Sequence, residues 1–232
     1  MISPRERLIV ALDVASAAEA RRIVTSLGDS IQFYKVGMQL YTAEGPGVVR
    51  DLVMSGKKIF LDLKYHDIPN TVAAATREAA QLGVSMLTLH ASGGTKMLRA
   101  AVDAAKQSDS ELAVLAVTVL TSMDENDLKE TGIQDSIADQ AVRLGKIALS
   151  AGCAGVVSSA REVKSLRASL GSGFLAVTPG VRPAGAAHGD QARVVTPAEA
   201  IAAGATNIVV GRPITAAADP VLEAQKILQE IA

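Results

Sequence analysis

Eight short runs of β-branched and other apolar residues recur along the chain: LIVALD (8–13), FYKVG (33–37), IFLDLK (59–64), MLTLHA (86–91), AVLAVTVL (113–120), GVVSSA (155–160), FLAVTPG (174–180) and NIVVGRP (207–213). Between them lie segments of helical spacing rich in Ala, Glu, Arg and Leu: Ala17 to Leu27, Thr71 to Leu82, Lys96 to Ala105, Ser136 to Ala151 and Glu162 to Leu170. Strands that alternate with helices pair in parallel through right-handed crossovers. Near-continuous apolar character requires both faces of the sheet to be covered. Eight such units favour a closed (β/α)8 TIM barrel over an open doubly wound sheet, as a single domain spanning 1–232.

Polar residues fall at the C-terminal ends of these runs. Asp13 ends the first, Lys35 lies near the end of the second, Asp62 and Lys64 end the third and His90 ends the fourth. Thr121 follows the fifth, Pro179 and Arg182 the seventh, and Gly211 and Arg212 close the eighth. In a barrel this gathers them at one mouth, where active sites of the fold are found. Val181 to Pro197, rich in Gly, Ala and Pro, reads as a long, mobile functional loop.

Charge and composition exclude several classes. A formal net charge of −1 with interspersed signs gives no nucleic-acid footprint. Cys153 is the only cysteine, which rules out an internal disulfide framework and a Cys-based zinc site. Arg5, Glu6 and Arg7 ahead of a short apolar run do not fit a secretion signal, and Leu112 to Leu120 is too short to span a bilayer. These features predict a soluble, cytoplasmic protein with no membrane association. His66, His90 and His188 lack metal-site spacing, so no metal is expected. Dinucleotide, Walker and serine-elbow motifs are absent from the sequence.

Two clusters carry chemistry. In DLKYHDIPNT (62–71), strand alternation sends Asp62 and Lys64 to one side, with Asp67 just beyond. A generic Asp-x-Lys is more readily a structural salt bridge. Lys35 and Asp13 in the same mouth add charges that packing alone does not justify, because desolvating them is expensive. In NIVVGRPIT, Gly211 permits close backbone approach and Arg212 offers a fork for phosphate oxygens, with Pro213 at the first helical position. A plain turn with a surface arginine is the alternative. Arg182 and Gln191 sit where they can complete the grip. Ser122 and Glu125 match a capping box, which predicts a helix N-cap at Ser122.

With these residues in view, the chain resembles the orotidine 5'-phosphate decarboxylase family over essentially its whole length. The most specific segments are FLDLKYHDIPNTV (60–72), TPGVRP (178–183) and VVGRPI (209–214). The resemblance implies a cofactor-free lyase that converts orotidine 5'-phosphate to uridine 5'-phosphate and CO2 at the end of de novo UMP biosynthesis. It implies that Lys64 protonates C6 beside Asp62, and that Lys35 and Asp13 hold ribose hydroxyls. Thr121 and Pro179 are then near the pyrimidine, and Arg182, Gln191, Gly211 and Arg212 bind phosphate. Asp67, with Ile68 and Thr71, is expected to reach the partner's site in a homodimer. Asp-x-Lys-x-x-Asp also occurs in magnesium-dependent sugar-phosphate relatives, but those carry an acidic residue where this chain has Lys35. A catalytically silent nucleotide-binding barrel is the remaining alternative.

Overall fold

The computed structural model describes residues 3–108, 110–183 and 195–232. Eight parallel strands close into a barrel in sequence order: β1 (Leu8–Ala11), β2 (Phe33–Gly37), β3 (Lys58–Tyr65), β4 (Met86–His90), β5 (Ala113–Val117), β6 (Gly155–Val157), β7 (Leu175–Thr178) and β8 (Asn207–Val210), with β8 pairing back onto β1. This is the (β/α)8 architecture expected from the eight apolar runs.

Alternation along the strands divides their side chains between two cores. Ile9, Ala11, Phe33, Phe60, Met86, Leu115, Val117, Val157, Val177 and Val209 fill the barrel interior. Their neighbours, including Val10, Tyr34, Ile59, Leu87, Val114, Val156 and Ile208, pack outward in the larger cluster shared with the helices. Both faces of the strands are thereby covered along most of their length, which is why the runs read as continuously apolar.

The helix Ala17–Leu27 occupies the residues expected, capped by the Ser16 hydroxyl, which accepts from Glu19 N–H. The others agree to within about two residues: Pro69–Gln81, Gly94–Gln107, Ile137–Ser150 and Ala160–Leu170. Ser122 does not cap a helix. The helix Glu125–Glu130 starts after Asp124, whose carboxylate accepts from the N–H groups of Asn126 and Asp127, while Asp127 reaches back to the Asp124 N–H. A carboxylate so placed also meets the positive helix end, an advantage over a hydroxyl two residues earlier. The helix Arg212–Thr215 likewise begins one residue before Pro213.

The segment expected to be a mobile loop, Val181 to Pro197, is described only at its flanks, and the rest of it lies outside the described residues. Thr196 caps a helix at Pro197–Ala202 through a reciprocal box with Glu199, and Val181 bridges Val195 across its two flanks. Arg182 N–H donates to Val195 O at 3.0 Å. Gln191 and His188 lie outside the described residues. Among the described residues no helix is long and apolar enough to cross a membrane.

Cys153 is buried, and burial pushes its thiol up to about 12. Gly155 is required by packing: a Cβ there would lie 2.0 Å from the Leu175 carbonyl oxygen of the neighbouring strand. Backbone cannot yield as a side chain does. Gly155→Ala is therefore expected to cost about 3 kcal/mol of unfolding free energy, at the upper end of overpacking penalties. Urea denaturation checks this, and an unchanged midpoint would refute it.

Candidate active site

Three of the inward-facing ladders end in charge. Two residues beyond Ala11 comes Asp13, two beyond Phe33 comes Lys35, and two beyond Phe60 comes Asp62. The barrel plug below them is apolar, and these groups take their opposite charges from one another. The Lys35 ammonium lies 2.8 Å from Asp13 Oδ1 and 3.8 Å from Asp62 Oδ2. The Lys64 ammonium lies 2.9 Å from both Asp62 oxygens. The result is a continuous chain of alternating sign, Asp13–Lys35–Asp62–Lys64. Lys35 and Asp62 are its most enclosed members, with side chains 11% and 13% exposed, whereas Asp13 is 56% exposed. Gly37 leaves the room this chain needs, since a Cβ there would approach Lys35 Nζ to 2.9 Å.

Lys64 does not reach the mouth by simple alternation. Pairing of β3 with β4 runs from Leu61 opposite Leu87 to Tyr65 opposite Leu89, so three residues of β3 face Thr88 alone. Within this irregularity Lys64 has φ +51°, and it alone among the described non-glycine residues has a positive φ. Such backbone costs of order 1 kcal/mol or more and persists where surroundings over-determine it. Those surroundings are visible in Thr88, fully buried, whose hydroxyl oxygen accepts the Lys64 backbone N–H and donates to Asp62 Oδ1, both at 2.9 Å. Sequence reasoning missed Thr88, although the inward period Met86, Thr88, His90 marked it as a polar residue on the interior face of a strand.

The chain of charges forms one side of a cavity of about 440 Å3, a size suited to a small organic ligand. Its apolar floor is Ala11, Phe60, Val117, Val157 and Val209, and Thr121 and Pro179 also line it. Arg182, Gly211 and Arg212 line the same space. Of the ten residues singled out at the strand ends, nine line this cavity and His90 stands apart from it. At Gly211 an added Cβ would meet Ala11 and Asp13 at ordinary distances of 3.5 and 3.7 Å, so what the missing side chain leaves free is the cavity itself.

Asp67, Ile68 and Thr71 do not line this cavity. Asp67 Oδ1 accepts the adjacent Ile68 N–H at 2.6 Å, on the exposed turn that leads into the helix Pro69–Gln81. Asp67 and Ile68 instead border a second, open cleft with His66, Gly93, Lys96 and Met97. His90 also stands apart: its ring faces that of His66 at 5.6 Å. Burial, followed by the neighbouring His66 and Lys64 charges, holds His90 below its usual value against the opposing pull of Asp62. Among the described residues, no three His, Cys, Asp or Glu side chains gather as a metal site.

Residues 6–227 match the sequence model of the Orotidine 5'-phosphate decarboxylase / HUMPS family. Among similar proteins, the orotidine 5'-phosphate decarboxylase of Afipia carboxidovorans is 53% identical over 230 residues, covering 99% of this chain and 96% of the relative. That of Moorella thermoacetica is 47% identical, covering 98% and 92%. The crystal structure of orotidine 5'-phosphate decarboxylase from Lactobacillus acidophilus superposes with a TM-score of 0.87 at 41% identity, over 97% of this chain and 98% of that one. Barrel, cavity and sequence agree, and the chain belongs to the orotidine 5'-phosphate decarboxylase / HUMPS family.

Proposed function

We propose that this protein decarboxylates orotidine 5'-phosphate to uridine 5'-phosphate and CO2, the closing step of UMP synthesis, within a single barrel domain. The observation that carries this reading is the Asp13–Lys35–Asp62–Lys64 chain on one wall of the cavity that Arg182, Gly211 and Arg212 also line.

Heterolysis of the bond from C6 to the carboxylate releases CO2 and leaves an electron pair in the ring plane, orthogonal to the π system. Resonance gives that pair little help, so electrostatics must supply the stabilisation. A lysine ammonium about 4 Å away contributes about 4 kcal/mol at an effective dielectric of 20, against about 1 kcal/mol in bulk water. Lys64 is the group to do this and then to pass its proton to C6, regaining one from solvent afterwards. Asp62 beside it orients the ammonium before substrate arrives, so little reorganisation is left for the reaction itself. Lys35 and Asp13 are placed to meet ribose hydroxyls, and Thr121 and Pro179 to flank the base. Phosphate falls to Arg182, Arg212 and the Gly211 backbone, with Gln191 assigned there from sequence. Phosphate binding remote from the reacting bond then lowers the barrier by holding the ring against Lys64.

The magnesium-dependent sugar-phosphate chemistry of HUMPS relatives is disfavoured by Lys35, whose ammonium already supplies positive charge between Asp13 and Asp62. Asp67, Ile68 and Thr71 are assigned to a homodimer, each Asp67 completing the partner's site. Ile68, 66% exposed beside a carboxylate that does not reach its own cavity, supports that assignment.

Mixing the protein with orotidine 5'-phosphate is expected to remove the substrate's ultraviolet absorbance, and Lys64→Ala to abolish that loss while leaving uridine 5'-phosphate binding measurable by calorimetry. Retention of a tenth of the activity, taken as about the least a central proton donor's loss would cost, would remove Lys64 from the role. Arg212→Ala is expected to lower kcat/KM by about 100-fold or more, from loss of a charge-assisted phosphate contact; steady-state kinetics unchanged from wild type would exclude the phosphate assignment. Mixing Lys64→Ala with Asp67→Ala protein should restore about a quarter of wild-type activity, because half of the randomly formed dimers then carry one intact site of two. A mixture no more active than its components would contradict the shared site.

A further inference from the structure

The hydroxyl of Thr88 stands where the pairing of β3 with β4 shifts register. Because three residues of β3 face it alone, the Lys64 N–H has no ladder carbonyl to meet and takes the Thr88 oxygen at 2.9 Å. An N–H can only donate and a carboxylate can only accept, so the direction of both bonds follows: the hydroxyl oxygen receives the Lys64 proton and its own proton goes to Asp62 Oδ1, also at 2.9 Å. One buried hydroxyl therefore grips the backbone of Lys64 and the carboxylate that orients the Lys64 ammonium. It also distinguishes the two oxygens of Asp62. Oδ1 is held by Thr88 while Oδ2 faces Lys35 at 3.8 Å, which prevents the carboxylate from turning freely beneath the ammonium it shares.

We propose that Thr88 is a positioning residue for the decarboxylation, fixing the Lys64 backbone in its left-handed conformation and the plane of the Asp62 carboxylate. The inference rests on the reading of Lys64 and Asp62 as the reacting pair. It predicts an effect on the chemical step with little effect on nucleotide binding, since Thr88 lies behind the charges and does not itself line the cavity.

The test compares Thr88→Val, which keeps the shape and loses the hydroxyl, with Thr88→Ser, which keeps the hydroxyl and loses a methyl. Misplacement of the ammonium by a fraction of an ångström to 1 Å corresponds to a fall in kcat of about 10- to 100-fold for Thr88→Val, with KM and uridine 5'-phosphate affinity within about threefold of wild type and Thr88→Ser within about threefold in kcat. If Thr88→Val does not fold, Thr88→Ala against Thr88→Ser isolates the same hydroxyl at nearly equal volume. Wild-type kcat in the hydroxyl-free variants overturns the proposal. Equal losses in the serine and hydroxyl-free variants, or losses confined to melting temperature, also overturn it. Lys64→Ala in the same assay separates the two levels: if it stays active, the underlying reading fails, and if it is inactive while Thr88→Ala turns over normally, only the role of Thr88 fails.

Discussion

Four charges must be held at the top of an apolar barrel, and most features of the site follow from how that is done. Removing a carboxylate or an ammonium from water costs several kcal/mol unless it is paired and hydrogen-bonded. Here every member of the Asp13–Lys35–Asp62–Lys64 chain has an opposite charge within 4 Å. The arrangement contributes little to stability by itself. A hydrophobic rim would serve folding as well, so the charges are best understood through the task proposed for them, which is to meet a transient electron pair with a lysine whose direction is already determined.

The barrel supplies this geometry through register. Parallel strands with matched pairing, Ala11 opposite Lys35, Lys35 opposite Phe60 and Gly37 opposite Asp62, set the inward side chains of β1, β2 and β3 at adjacent points of the mouth. Apolar residues one step lower, Ala11, Phe33 and Phe60, close the interior beneath them. The first three strands thus carry the charged wall, whereas Arg182, Gly211 and Arg212 come from the segments after β7 and β8. In a closed barrel β8 adjoins β1, so the two ends of the chain supply neighbouring parts of one cavity.

Lys64 is the exception to that regularity, and its exception has a cause. A regular strand would carry it inward by alternation, but β3 contains more residues than β4 can pair, and the backbone turns left-handed at Lys64. Strain of this kind survives only where other contacts enforce it. Thr88 and Asp62 are those contacts, and they tie the local conformation to the charge chain itself.

Much of this was legible in the residues. The eight apolar runs located every strand, because an apolar face must be buried wherever it lies, and the charged residues at their C-terminal ends marked the mouth, because in a parallel barrel those ends share a side. The Asp62, Lys64 and Lys35 cluster and the Gly211–Arg212 turn needed no coordinates to be found. What the sequence left open concerns contacts between segments distant along the chain. Asp124 displaces Ser122 as a cap because only the folded turn decides which side chain meets the free N–H groups. That Asp67 does not line its own cavity is seen only in the folded chain, and that Lys64 arrives by a break in the strand and that Thr88 holds it there depend on β3 lying against β4. Periodicity along one strand records which face is buried; the alignment of one strand against another is fixed by packing of the whole barrel, and so only the tertiary structure decided it.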